Sequence, residues 1–178
     1  MTFIALATTL LFVSMSYHLA TGSQQIGRGN FTLPIVDRNG LTDKTLTLSD
    51  FLGKVIVLEF MAPWCPPCQQ LTPFMESLYT QFAAGGVVFI VVAEPWWNAD
   101  YQNVTVEQFL SEYNSSLTYV LDTPTHWGQV GTMYGIQSVP TLFILYKNGT
   151  VGYTFNGAGT IRENAVASIG TAQATPAI

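Results

Sequence analysis

Side chains that carry chemistry are scarce in this chain. Of 178 residues, two are cysteine and two are histidine, and only 10% are Asp, Glu, Lys or Arg. The six basic residues, Arg28, Arg38, Lys44, Lys54, Lys147 and Arg162, are scattered, and the net charge is −5. With no basic patch to neutralise a phosphate backbone, nucleic-acid binding is excluded. A closed zinc site takes about four ligands. Beyond the cysteines only His18 and His126 offer imidazole, and His18 lies in an apolar N-terminal run, so no metal site is expected. No cysteine follows that run, which excludes a diacylated lipoprotein. No internal repeat stands out.

What the chain does have is concentrated in Trp64-Cys65-Pro66-Pro67-Cys68, which holds both cysteines three positions apart. With Cys65 at a helix N-terminus, Cys68 lies one turn further on the same face, and the sulfurs can close a small disulfide ring. Unpaired N–H groups and the helix dipole favour a thiolate at Cys65. Pro66 suits a first turn whose N–H has no partner, but the two prolines also remove two donors from the sulfur. Leu71, Phe74, Met75, Leu78 and Phe82 follow at helical spacing, with Pro73 predicting a kink. A purely structural disulfide closing so short a loop would constrain the unfolded chain little. A redox-active dithiol is the reading preferred over structural and metal roles.

The run Val55-Ile56-Val57-Leu58-Glu59-Phe60-Met61-Ala62-Pro63-Trp64-Cys65-Pro66-Pro67-Cys68 resembles the strand, loop and active-site helix of thioredoxin-fold proteins. Pro73 matches the kink proline of that helix. Tyr134-Gly135-Ile136-Gln137-Ser138-Val139-Pro140-Thr141-Leu142-Phe143 resembles the family's cis-proline segment and following strand. The lead-in Leu48-Ser49-Asp50-Phe51-Leu52-Gly53-Lys54 and the long segment from Val92 to Tyr134 are similar to the TlpA/ResA-like branch. The resemblance, which spans roughly residues 31–169, implies an α/β fold. It is a thioredoxin-like three-layer sandwich with a central mixed sheet flanked by helices, an N-terminal β-hairpin and a helix-strand insertion. It also implies a cis Val139–Pro140 bond, which would turn the Val139 backbone toward an extended substrate, as in strand addition. Trp64, Val139 and Pro140 are accordingly the candidate substrate-binding residues.

Glu59 is the anomaly in an otherwise apolar strand buried on both faces. A buried carboxylate is costly unless neutral or bonded, and burial raises its pKa. The matching family position carries a buried acid that relays protons for the buried thiol, so Glu59 joins Cys65 and Cys68 as a catalytic candidate. The alternative is an acid at an edge or paired with Lys54.

Along the rest of the chain, residues 1–22 read as a signal peptide or membrane anchor, although no Lys or Arg precedes the apolar run. Residues 23–30 read as a linker, 31–170 as the thioredoxin-like domain and 171–178 as a flexible tail. Strands are expected at 31–37, 45–48, 55–60, 87–92, 117–121, 141–146 and 151–155. Ser49 is a candidate cap for a turn ending at Gly53. Helices are expected at 104–113, 127–134 and 160–169, besides the one after Cys65. Trp96 and Trp97 are candidates to line a groove, or ordinary packing. His126 is a lone loop histidine with nothing to place it at the site. Asn30, Asn103, Asn114 and Asn148 stand in Asn-x-Ser/Thr sequons, which matter only in a glycosylating compartment.

The function expected is an extracytoplasmic protein thiol–disulfide oxidoreductase, acting as a reductase without a cofactor. Its partners would be cysteine-containing or disulfide-containing proteins and an upstream thiol donor, with residues 1–20 as a candidate membrane anchor. A dithiol oxidase or isomerase is the rival within enzymes. A soft-metal chaperone for an ion such as Cu(I) is the rival from another class, and the chain lacks the Met/His supplements it would favour.

Overall fold

The computed structural model describes residues 26–94, 105–122 and 128–177. The apolar segment before residue 23, Trp96, Trp97, Asn103 and His126 lie outside the described residues. No helix among the described residues is long and apolar enough to cross a membrane.

Among the described residues, seven strands form one sheet: β1 (Thr32–Asp37), β2 (Gly40–Thr47), β3 (Ile56–Met61), β4 (Val88–Ala93), β5 (Thr118–Leu121), β6 (Thr141–Leu145) and β7 (Val151–Asn156). Their order is β2-β1-β5-β4-β3-β6-β7. β3, β4 and β5 run parallel, while β1, β2, β6 and β7 pair antiparallel, so the sheet is mixed. Among the same residues, four α-helices accompany it: α1 (Pro66–Phe82), α2 (Val106–Tyr113), α3 (Gln129–Tyr134) and α4 (Ala158–Ala174). This is the thioredoxin-like sandwich, with β1 and β2 as the N-terminal hairpin and α2 with β5 as the inserted helix and strand.

Period-two alternation in β3 divides the core. Val55, Val57 and Met61 join the α1, α2 and α4 side, together with Leu71, Leu78, Phe109 and Ile161. Ile56, Leu58 and Phe60 join the opposite side, under Tyr134 of α3. There Tyr134 packs between Phe60 and Phe143, with ring centroids 5.1 and 5.3 Å away. All six residues of β3 are buried, as expected of a central parallel strand covered on both faces.

In two segments that read as a tether and a tail, residues 26–29 and 171–174 are packed against the domain. Within 23–30, Ile26 is fully buried, Gly27 N–H donates to Gly149 O (2.7 Å), and Arg28 Nη1 donates to Tyr134 O (2.6 Å) while lying over the Phe143 ring. One large aliphatic residue in a polar run is enough to seat the strap, because its burial stabilises by about 2 kcal/mol. Within 171–178, α4 continues to Ala174, with Ala172 buried and Lys147 Nζ donating to Gln173 O (2.7 Å). The second strand of the hairpin is longer than expected and starts at Gly40, whose φ of 112° suits glycine. Ser49 is not a cap: Thr47 holds that position, without a side-chain bond, and Ser49 instead pairs with the Asn30 side chain.

Replacing Ile26 with Ala should lower unfolding free energy by about 2–4 kcal/mol, the range for truncating a fully buried aliphatic. Urea titration checks this; a loss near zero would show the strap to be an appendage.

Candidate active site

The site begins where β3 ends. Strand pairing holds Met61 beside Ala93, and a tight turn, with Cys65 N–H donating to Ala62 O (3.1 Å), delivers Cys65 to the N-cap of α1. Pro66 and Pro67 occupy the first helical positions and have no N–H. The first amide available is therefore that of Cys68, and it donates to Cys65 Sγ (3.3 Å). The prolines do not remove all backbone help from the sulfur; they focus it into one donor. That bond is weak to a neutral sulfur and becomes charge-assisted when Cys65 is a thiolate.

Cys65 and Cys68 form a disulfide, with Cα atoms 5.3 Å apart. Cys68 is fully buried, and Cys65 retains 4% of its surface, so an incoming sulfur reaches Cys65 first. Gln69 Nε2 donates to Pro63 O (2.8 Å), tying the loop before the pair to the first turn after it. The helix then runs through Pro73, which denies Gln69 O its usual i+4 donor. One turn along, Arg162 of α4 donates to Gln70 O.

The second side of the site is the segment before β6. The Val139–Pro140 bond is cis. Val139 is half-buried, and its carbonyl oxygen lies 3.6 Å from Cys65 Sγ. Pro140 is buried, and its carbonyl accepts from Gly157 N (2.9 Å). Trp64, also half-buried, packs against the core cluster that contains both cysteines. Cys65, Trp64, Val139 and Pro140, far apart in sequence, thus meet at one edge of the fold.

Glu59 lies in the middle of β3 on the face that carries Val57, Met61 and both cysteines. Its register neighbours are Val91 and Leu142, both buried on that same face. This apolar setting pushes the carboxyl up to about 8 through desolvation, so it holds its proton at neutral pH. Lys54 is exposed ahead of the strand and does not neutralise it.

Sequence reasoning did not single out a buried acid pair, Glu94 and Asp122, just past the ends of β4 and β5. The signal available was an acid directly after each of two apolar runs.

Together these features define a thiol–disulfide oxidoreductase of thioredoxin fold. Comparison with known proteins agrees. The Redoxin family model matches residues 30–170. ResA of Bacillus subtilis (strain 168), a thiol-disulfide oxidoreductase, is 32% identical over 143 residues, which is 78% of this chain and 73% of ResA. The ResA of Bacillus thuringiensis subsp. konkukian is 28% identical over 144 residues, covering 81% and 77% of the two chains. Among solved structures, the Chlorobium tepidum protein described as a thiol:disulfide interchange protein DsbE superposes with a TM-score of 0.67 at 27% identity, covering 84% of this chain and 96% of its own. The chain belongs to the Redoxin family.

Glu59 also sets a pH dependence. Its folded pKa is raised from 4.5 to about 8, and Glu94 is raised likewise. The folded state therefore binds more protons than the unfolded one between those values. Stability is fully present below about pH 4.5 and falls as pH rises, levelling off above about pH 8. Each group contributes a slope of about 1 kcal/mol per pH unit in that window. Unfolding measured by urea from pH 5 to 9 should show this decline, and Glu59→Gln should remove about one proton from it. A slope unchanged by the substitution would place the titrating proton elsewhere.

Proposed function

We propose that the protein is an extracytoplasmic reductase of protein disulfides. Support for the mechanism comes chiefly from the asymmetry of the pair: Cys68 is fully enclosed, while Cys65 keeps a little exposure beside the Val139 carbonyl. The apolar run within residues 1–22 supports export or anchoring outside the cytoplasm.

In the reduced enzyme Cys65 is a thiolate, stabilised by the Cys68 N–H. It attacks one sulfur of a substrate disulfide. A bond forms between Cys65 and that sulfur, the substrate S–S bond breaks, and the first substrate thiolate leaves. Cys68 then loses its proton and attacks Cys65 Sγ. The Cys65–Cys68 bond forms, and the second substrate thiolate leaves. Two electrons have passed to the substrate, and an upstream dithiol donor returns them by the reverse steps.

Glu59 handles the proton of Cys68 in both directions. In the disulfide form the carboxyl is neutral, and it holds the proton that Cys68 needs when it departs as a thiolate during re-reduction. In the reduced form the ionised fraction of the carboxyl, which grows as pH rises toward 8, takes that proton back as Cys68 attacks. A carboxyl titrating near 8 is close in acidity to a thiol, which keeps the transfer nearly balanced near neutral pH.

The half-exposed edge at Val139 receives the substrate. Its backbone groups pair with an extended segment on either side of the scissile disulfide, as in strand addition, and Trp64 flanks the sulfur.

Two outcomes are expected. Cys68→Ser should accumulate substrates as mixed disulfides on Cys65, seen as thiol-sensitive adducts on gels. In the adduct with an insulin-derived peptide, the Val139 amide should exchange with deuterium more slowly than in the free protein; unchanged exchange would remove Val139 from the docking edge. Separately, Glu59→Gln should slow mixed-disulfide resolution by about 100-fold, the scale of a lost general base. Its rate should also lose the dependence on an ionisation near pH 8. Wild-type resolution in that variant would reduce Glu59 to a packing residue.

A further inference from the structure

The geometry points to Glu94 and Asp122 as positioning residues for substrate docking: the two acids share one proton and, through α3, hold the Val139–Pro140 edge in place. This rests on the reading of that edge as the docking site.

Both side chains are at most 1% exposed. The backbone fixes them where three parallel strands end: Glu94 N–H donates to Met61 O (2.8 Å), and Asp122 N–H donates to Ala93 O (3.1 Å). Asp122 Oδ2 accepts from Val130 N (2.7 Å) and Gly131 N (2.8 Å), so one carboxylate oxygen carries the first turn of α3. The acids press directly on that helix. A Cβ at Gly128 would collide with the Asp122 carboxyl, and one at Gly131 with Glu94 Oε1. Only glycine admits so close an approach.

Among the described residues, Asp122 Oδ1 and both Glu94 carboxyl oxygens have no hydrogen-bond donor. Two ionised carboxylates cannot bond each other. With a proton on Glu94, it donates to Asp122 and supplies the donor that Asp122 Oδ1 lacks. Burial, then the Asp122 charge and a hydrogen bond to Asp122, push the Glu94 carboxyl up to about 8. Among the described residues, the other titratable or charged side chains on the elements around the pair lie elsewhere. Arg28 and Tyr134 are at the far end of α3, and Glu59 and Tyr119 are on the opposite face of the sheet. Asp100 and His126 belong to segments outside the described residues.

The connection to the edge is short. Gly131, whose N–H is held by Asp122, accepts from Ile136 N through its carbonyl (2.9 Å). Val139 is three residues beyond Ile136, and Ser138 O accepts from Thr141 Oγ1 (2.7 Å). A shift of α3 against the sheet therefore moves the carbonyl beside Cys65. Below about pH 8 the proton is kept and the anchor holds. Above it both acids are ionised and repel, and the anchor loosens.

The test uses dithiothreitol-driven insulin reduction for KM. Reaction of reduced Cys65 with 4,4′-dithiodipyridine serves as a probe small enough to need no docking edge. Asp122→Ala should raise KM for insulin about fivefold, the scale of measured long-range coupling, while the dithiodipyridine rate stays within about twofold. Asp122→Asn keeps an oxygen acceptor for Val130 and Gly131 and should restore most of the affinity. Wild-type KM should rise between pH 7 and 9, and Glu94→Gln, which always carries a donor, should hold KM flat. The pH comparison stands even where Asp122→Ala fails to fold. An unchanged insulin KM in Asp122→Ala, or identical KM profiles for wild type and Glu94→Gln, overturns the proposal. If Val139 amide protection in the trapped adduct persists in those variants, the anchoring idea alone has failed. If it is missing in the wild-type chain, the docking edge itself is wrong.

Discussion

A single backbone amide, that of Cys68, organises the chemistry. Two consecutive prolines leave the first two positions of α1 without donors, so the dipole's positive end reaches Cys65 Sγ through one N–H, that of Cys68, at 3.3 Å. The geometry needs a rigid platform beneath it. β3 supplies this, because every residue from Ile56 to Met61 is buried between two packed layers. The turn from Ala62 to Cys65 is one hydrogen bond long and leaves little freedom. The Val139 carbonyl approaches the same sulfur from β6, the antiparallel neighbour of β3. One strand thus aligns both halves of the site, and a change in its packing would alter both together.

The platform also explains the price of the buried acid. Any carboxyl on the cysteine face of β3 must sit among Val91, Leu142 and the helices, where desolvation disfavours its charge. A surface acid would be ionised at neutral pH and would hold no proton for a departing Cys68. Burial makes the fold less stable as pH rises. Under the proposed proton relay, that cost is what keeps a proton available to Cys68, a trade common where function requires a poorly solvated group.

Much of this was legible in the residues. The Cys65–Cys68 spacing, the proline pair and the apolar run with one acid each have a direct physical reading, and the strand and helix after them follow by periodicity. Pairings made across long sequence separations were less legible. Ile26 gives no periodic signal, so its strap looked like a tether; Ile26 joins the cluster of Tyr134 and Phe143, while Gly27 bonds Gly149 and Arg28 bonds Tyr134 and lies over Phe143. The end of α4 was hidden for a similar reason. Its alanines, glycine and threonine have weak patterning, and helix continues to Ala174 because Lys147 and Gly85 bond Gln173. Glu94 and Asp122 were not singled out in the sequence, because each merely follows an apolar run, and only the parallel pairing of β4 with β5 sets the two strand ends side by side.

That pairing bears on how the inserted segment relates to the active site. α2 and β5 enlarge the sheet between β1 and β4. β5 ends in Asp122, which replaces the missing side-chain cap of α3: Gly128, at the N-cap, offers none. The insertion is therefore more than added core. It brings a carboxylate to the start of the helix whose other end leads to Val139, and β4 brings the proton partner. Without Glu94, Asp122 Oδ1 would have no donor among the described residues, and Glu94 would have no buried acceptor without Asp122. The two make sense only as a unit, and that unit exists only because the inserted strand lies next to the strand beside the active-site platform.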